Sequence, residues 1–323
     1  MKILETKEAV DLLKKGEVVA IPTETVYGLA ADARSNKAVS KIFEAKGRPA
    51  DNPLIVHIGS ITQVDNLAIN VNKNARLLME HFWPGPLTII LQSSSIVSEL
   101  TTAGLPTVGL RMPNHKVTLE LLRTSGLPLA APSANISGKP SPTSIDHVIY
   151  DMKSRISGVV DGGVCEFGIE STVIDMTSDV PVILRPGNIS KQKIETIIGP
   201  VDSSDKDTHR PKAPGMKYKH YSPKAKVFIV KGSLDFFKAT IQSYQKKNKL
   251  KVGVLCQEST KNLYKQADLI ELIGSKGKNL YAALRSFDAQ HIDVILSEYF
   301  NDEAVMNRLL KASEERILSE VEY

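Results

Sequence analysis

The chain has 323 residues, 42% of them hydrophobic and 24% charged, with a formal net charge of +5. That is the composition of a soluble globular protein with room for two domains. No apolar run reaches the 18 residues of a membrane span, the opening MKILETKEAV has no apolar core or cleavage site of a secretory signal, and two cysteines, Cys165 and Cys256, are too few for a disulfide framework. The expected compartment is therefore the cytoplasm, with no membrane partner. The mild basicity permits contact with nucleotides or a weak contact with tRNA without demanding either.

Residues 5–15 place Ala9, Val10 and Leu13 on one helical face, and Gly16 ends the run. A β-branched run at 17–21, stopped by Pro22, reads as a strand. The polar patch Thr23-Glu24-Thr25 follows, then Tyr27-Gly28. Val39, Ile42, Phe43 and Lys46 recur at helical spacing up to Gly47. Arg48, Asp51 and Asn52 come next, framed by Pro49 and Pro53, and 54–58 is strand-like with His57 among apolar neighbours. Lys46 and Arg48 set two cations a loop's width apart, which suits a polyphosphate. They equally suit a helix C-terminus, whose dipole favours cations. His57 taken alone reads more readily as a satisfied core histidine than as a ligand-binding one.

A helix at 74–82 is stopped by Pro84 and Pro86, 87–91 is an apolar strand, and 93–104 has no clear period. In Thr107-Val-Gly-Leu-Arg111, alternation puts Thr107, Gly109 and Arg111 on one face. The glycine leaves room between the other two: a floor for a carboxylate or phosphate, or an ordinary half-exposed edge. Asn114 is placed to cap a helix ending at Ser125-Gly126, and the strand at 127–131 runs into Pro132-Ser133-Ala134-Asn135. Ser141 as cap and Pro142 as first helical residue would open a helix to Met152; such an N-terminus also suits a phosphate. Strands at 156–160 and 171–176 flank the glycine-rich DGGVCEFGIE, a strand follows at 182–185, and Ser190 caps a helix to 198. Residues 200–224 read as a linker, dense in proline and glycine towards its end. Beyond it, strands at 226–230, 252–256, 269–273 and 292–296 alternate with helices at 234–246, 279–289 and 303–313, the pattern of a parallel, Rossmann-like sheet. No G-x-G-x-x-G follows its first strand, so a dinucleotide is not expected there.

Several chemistries fall away. Ser137-Gly138-Lys139-Pro140 has proline where a P-loop needs a hydroxyl, and Ser133 lacks the flanking glycines of a nucleophile elbow. The seven histidines fit no metal-ligand spacing, so no protein-ligated metal is expected. Tyr218-Lys219-His220-Tyr221 suits either RNA contact or a solvated linker.

PTETVYGL at 22–29, KGRPADNPLIVHI at 46–58, WPGPLT at 83–88, TVGLRMP at 107–113, APSAN at 131–135, GIEST at 168–172, LRPG at 184–187 and APGMKYKHYSP at 213–223 occur in one order along the chain. Together they resemble the YrdC-like threonylcarbamoyl-AMP synthase family, and the rest resembles the extra C-terminal domain of its long form. The resemblance implies an α/β protein: a YrdC-like twisted mixed sheet with helices over 1–205, a linker or lid over 206–224, and a smaller Rossmann-like domain over 225–323. It implies a reaction that joins L-threonine, bicarbonate and ATP, accompanied by Mg²⁺, into L-threonylcarbamoyl-AMP and pyrophosphate. The product would serve a downstream tRNA threonylcarbamoyl transferase complex, which modifies the adenosine beside the anticodon.

Thr25, His57, Arg111, the backbone at Ala131 and Ser171 would then hold threonine, with Arg111 on its carboxylate. Arg48, Asn52, Thr107, Ser133, Ser141, Arg185 and Tyr221 would hold ATP. Lys46 and Asn135 complete Lys-x-Arg and Ser-x-Asn pairs with Arg48 and Ser133 at the reacting phosphates. The linker would fold over the cleft so that Tyr221 reaches the nucleotide. One departure is that Tyr299–Arg308 lacks the glycines that usually precede Asn307-Arg308, which bears on that loop's conformation rather than on catalysis. The competing class is a non-catalytic double-stranded RNA or tRNA binder. A carbamoyl-transfer maturation factor contains a related domain, but its zinc-finger and acylphosphatase segments are not visible here.

Overall fold

The computed structural model describes residues 1–203 and 221–320. Its strands are β1 (Val19–Ile21), β2 (Gly28–Asp32), β3 (Ile55–His57), β4 (Ala68–Ile69), β5 (Leu87–Ser93), β6 (Thr107–Arg111), β7 (Leu129–Ala130), β8 (Gly158–Val159), β9 (Thr172–Asp175), β10 (Val182–Arg185), β11 (Asp202–Ser203), β12 (Lys226–Lys231), β13 (Val252–Cys256), β14 (Leu269–Leu272), β15 (Val294–Glu298) and β16 (Ile317–Ser319). Its α-helices are α1 (Thr6–Lys14), α2 (Asn36–Lys46), α3 (Val64–Leu67), α4 (Lys73–Phe82), α5 (Glu99–Thr102), α6 (Lys116–Ser125), α7 (Ile145–Met152), α8 (Lys191–Ile198), α9 (Leu234–Asn248), α10 (Leu280–Ala289) and α11 (Glu303–Ser313). Contacts divide the described residues into two compact units, one built from 1–137 and 141–203, the other from 138–140 and 221–320.

The first unit is organised on an eleven-stranded mixed sheet of order β11-β10-β9-β5-β6-β3-β7-β2-β1-β8, with β4 on β5. Strand alternation sorts its residues onto two faces. Val56, Ile89, Leu91, Val108 and Leu110 point into the main core with Ile42, Leu78 and Trp83. On the other face, Val19, Ile21, Ala30 and Leu129 are covered by Ala9, Val10 and Leu13 of α1 and by Leu121 and Leu122 of α6. That cover is local. Where β3, β5 and β6 run together, registers Ile55↔Gly109, His57↔Arg111, Ile90↔Gly109 and Gln92↔Thr107 put His57, Thr107, Gly109 and Arg111 on this second face. Buried polar groups replace apolar ones there.

Local signals explain most element ends. Ser35 caps α2 by accepting from Ala38 N–H, and Gly47 closes it at φ 59°, a left-handed geometry cheap only for glycine. Elsewhere tertiary hydrogen bonds override the sequence signal. The helix expected from Ser141-Pro142 begins at Ile145 with Ser144 as N-cap residue. Pro142 O instead accepts from Tyr27 N, and Thr143 O accepts from Cys165 N, so these residues stay outside the helix. The helix expected from Asn114 begins at Lys116, with His115 in the cap position. Strand β2 was not anticipated, because Gly-Leu-Ala-Ala-Asp lacks the β-branched residues that mark strands. The aperiodic 93–104 contains α5, whose cap Ser98 accepts from Thr101 N. Residues 202–203 of the expected linker form β11 beside β10, while 204–220 lie outside the described residues.

The second unit carries a wholly parallel sheet of order β14-β13-β15-β12-β16, its core built from Val252, Val254, Leu296, Phe237 and Ile241. The loop whose glycines are missing is closed by other means. Asp302 accepts from Val305 N–H to cap α11, Phe300 N–H contacts Met306 Sδ at 3.4 Å, and Arg308 is fully buried. No helix among the described residues is long and apolar enough to cross a membrane.

Candidate active site

The turn between β1 and β2 is fastened by one hydroxyl. Thr23 Oγ donates to Val26 O at 2.6 Å and accepts from Thr25 N and Val26 N, each at 3.2 Å. Phe167 N donates to Glu24 O at 2.8 Å. The turn thereby aims Glu24 and Thr25 at Arg111. Arg111 Nη1 donates to Thr25 Oγ at 3.0 Å, its Nε donates to Gly85 O at 3.3 Å, and its Nη2 lies 2.7 Å from a Glu24 oxygen. Both charged side chains are almost wholly buried.

His57 sits beside Arg111 in the parallel register of β3 and β6. Its imidazole is pushed down to about 3, first by burial and then by the neighbouring Arg111 charge, so it is neutral at physiological pH. Ala131 N donates to Ile55 O at 2.9 Å, which brings the 131–135 loop alongside β3. On the other side of Arg111, Ser171 Oγ bonds Thr88 Oγ at 2.8 Å and accepts from Arg185 Nη2 at 3.1 Å, while Arg185 Nε donates to Ser171 O. Ser141 Oγ, fully buried, donates to Glu170 Oε1 at 2.7 Å.

Lys46 occupies the last turn of α2, and its ammonium turns inward. It donates to Asn135 O at 2.7 Å and to Ser133 O. Burial, together with the Arg48 charge, holds its pKa well below the usual lysine range, while Asp151 acts in the opposite direction. The same loop returns a bond, since Ser137 N donates to Lys46 O. Asn135 Nδ2 donates to Ile136 O at 2.8 Å. Arg48 is half-buried, lies against the Phe43 ring and donates from Nη2 to Asn52 O at 2.9 Å.

The first unit thus brings together the loop at 23–27, the ends of β3 and β6, the 131–135 loop and the 141–143 and 168–172 segments. Every candidate residue except Arg185 and Tyr221 lies on these parts or on the α2–β3 connection, and Arg185, the last residue of β10, reaches the cluster through Ser171. Tyr221 belongs to the second unit, where it is buried at φ 62° with its ring 5.2 Å from that of Tyr281. Residues 222–224 of the expected lid belong to the second unit as well, and 206–220 lie outside the described residues. Sequence reasoning missed Glu24, Thr88 and Glu170 as members of this cluster. All three stand inside motifs noticed for other residues. A carboxylate between two threonines, directly behind a buried strand, was the available signal for Glu24.

Among the described residues, several buried polar atoms here make no hydrogen bond: both Glu24 oxygens, the amide nitrogen and oxygen of Asn52, His57 Nδ1 and Arg111 Nη2. Glu24 and Arg111 are in ionic contact, but without an aligned hydrogen bond. Buried polar atoms are normally satisfied, so such a concentration marks a surface built to receive polar groups from a ligand. Neutral and cationic donors gathered in one place suit positioning and electrostatic stabilisation. No three His, Cys, Asp or Glu side chains among the described residues cluster as a metal cage would require.

Comparison with known proteins shows the family. The family model described as "Telomere recombination", which covers Sua5, YciO and YrdC sequences, matches residues 11–187. That described as "Threonylcarbamoyl-AMP synthase, C-terminal domain" matches residues 189–314. A threonylcarbamoyl-AMP synthase of Bacillus subtilis is 49% identical over 96% of this chain and 93% of its own length. One of Schizosaccharomyces pombe is 41% identical over 91% of this chain and 84% of its own. The crystal structure of Pyrococcus abyssi Sua5 complexed with L-threonine superposes with a TM-score of 0.93 at 44% identity, covering 99% of this chain and 98% of that one. The chain therefore belongs to the Sua5/YciO/YrdC family, in the form that carries the threonylcarbamoyl-AMP synthase C-terminal domain.

Proposed function

We propose that this chain is a threonylcarbamoyl-AMP synthase, joining L-threonine, bicarbonate and ATP into L-threonylcarbamoyl-AMP with release of pyrophosphate. The observation that carries the reading is the cluster of buried, hydrogen-bond-deficient groups of both polarities around Arg111, in a chain whose full-length relatives bear that name. The threonine nitrogen, as the free amine, forms a C–N bond to the bicarbonate carbon while a C–O bond there breaks and its oxygen leaves as water, giving the carbamate. A carbamate oxygen then attacks the α-phosphorus of ATP, and the bond to pyrophosphate breaks. Every intermediate is anionic, so the work falls to fixed donors.

In this reading Arg111 receives the threonine carboxylate, with Thr25, His57, Ser171 and the Ala131 backbone around the rest of the amino acid. Arg48, Asn52, Thr107, Ser133, Ser141, Arg185 and Tyr221 take the nucleotide, and Lys46 and Asn135 shape the loop facing its phosphates. Mg²⁺ would arrive with ATP and be held largely by phosphate oxygens and water, as this ion commonly is. The catalytic domain spans 1–205, a lid 206–224 and a supporting domain 225–323. The product passes in the cytoplasm to a tRNA threonylcarbamoyl transferase complex. The test is pyrophosphate release by the purified protein: it should require threonine and bicarbonate together, and release from ATP with either one omitted would refute the reading.

A further inference from the structure

We infer that Glu24 is the subsite for the substrate's ammonium group, so that an amino-acid zwitterion enters with its carboxylate on Arg111 and its nitrogen on Glu24. The inference rests on the synthase reading above and goes beyond it, to a residue that reading leaves unused. The Glu24 side chain is 1% exposed and that of Arg111 4% exposed, with 2.7 Å between a carboxylate oxygen and Nη2. An isolated pair so deeply buried is costly unless further hydrogen bonds satisfy both partners. Among the described residues, neither Glu24 oxygen nor Arg111 Nη2 has one.

The position of the carboxylate is built into the turn. Thr23 Oγ ties down Val26 O and the amides of Thr25 and Val26, and Phe167 N holds the Glu24 carbonyl. Two titratable neighbours of the pair bring it no charge: His57 is neutral, and burial pushes the Cys165 thiol up to about 12, so it too is uncharged. A zwitterion adds one charge of each sign. It converts one misaligned pair into two charge-assisted contacts and keeps the pocket neutral. A hydroxy acid of the same shape would bring a carboxylate alone and leave Glu24 facing a second negative charge or an unmet hydroxyl. The arrangement therefore selects amino acids over hydroxy acids before any chemistry occurs.

The test measures binding of L-threonine and of the matching 2,3-dihydroxybutanoate to the full-length protein by calorimetry, in the wild type and in Glu24→Gln. The wild type should prefer threonine by about 10- to 100-fold, the scale of the one charge-assisted contact that the two ligands do not share. In Glu24→Gln that preference should fall at least tenfold, through weaker threonine binding, with ATP affinity unchanged. Glu24→Asp should retain most of the preference, and it serves if the glutamine variant folds poorly. Equal weakening of both ligands would show that Glu24 only holds Arg111 in place and would overturn the assignment. So would a wild type that binds both ligands alike. A wild type that binds no threonine would overturn the functional reading together with this one, whereas intact threonine binding with an unchanged preference in Glu24→Gln overturns this inference alone.

Discussion

Acid should destabilise this protein through His57. The imidazole is 3% exposed, and burial first and Arg111 second push it down to about 3. In the unfolded chain the same group titrates near 6.5. The folded value is the lower one, so its contribution to stability is complete above the unfolded value and is lost as pH falls towards the folded one. Between pH 7.5 and 4.5 the unfolded chain gains nearly one proton that the native chain refuses. Linkage makes that loss about 2 to 3 kcal/mol. His57→Gln keeps a neutral polar side chain of similar size and cannot titrate. Urea unfolding of both proteins at the two pH values, followed by a probe in the first unit, isolates the difference from all other titrating groups. The wild type should lose about 2 to 3 kcal/mol more than the variant. Parallel losses would refute the reasoning, because they would mean that His57 is as easily protonated in the fold as outside it.

Arg48→Ala should weaken ATP binding by about 10- to 100-fold, the value of one or two charge-assisted bonds, and leave threonine affinity within about threefold on the same scale; calorimetry with each ligand separates the two. Full affinity for ATP would reduce Arg48 to a helix-end cation. Gly109→Val tests the floor between Thr107 and Arg111. A Cβ there would lie 3.3 Å from Thr88 Cγ2, close but tolerable, and the backbone is not left-handed. The fold should survive, since valine suits strands, while the added methyl groups fill the face that receives ligand. A melting temperature within a few degrees of wild type with at least about tenfold weaker ligand binding is expected; unchanged binding would show that ligand does not approach this strand.

The sequence was most informative where chemistry and local period coincide. Alternation alone put Thr107, Gly109 and Arg111 on one face, and the registers of β3, β5 and β6 place them there. Gly47 marked the end of α2 because the backbone conformation it adopts is a local property. What depended on partners distant in the chain was not legible. The non-helical state of Ser141-Pro142-Thr143 follows from bonds to Tyr27 and Cys165, which no local cap signal encodes. The pairing of Glu24 with Arg111 spans 87 positions and could not be read from a Thr-Glu-Thr turn. Strand β2 was hidden because its small residues are selected by close approach rather than by β propensity: at Gly28 a side chain would meet the Ala131 Cβ at 3.2 Å.

Lys46 shows how a charged motif residue can act through the backbone. Read from sequence, it is a phosphate contact. In the fold its ammonium donates to Asn135 O and to Ser133 O, and burial already disfavours its charged form. The Lys-x-Arg and Ser-x-Asn segments are therefore one mechanical unit, with the lysine as its peg. Lys46→Met keeps the length and bulk of the side chain but leaves two carbonyls without their donor. An unmet buried acceptor costs about 1 to 3 kcal/mol, so the first unit should lose at least about 2 kcal/mol of stability in urea, and ATP affinity should fall because the loop at 131–135 is no longer held. If Lys46 acted only on phosphate, the same variant would bind ATP poorly yet unfold at the wild-type urea concentration, or at a higher one, since removing a buried charge would then be a relief. Unfolding midpoints with and without saturating ATP separate the two accounts. An unchanged midpoint without ATP would sink the peg.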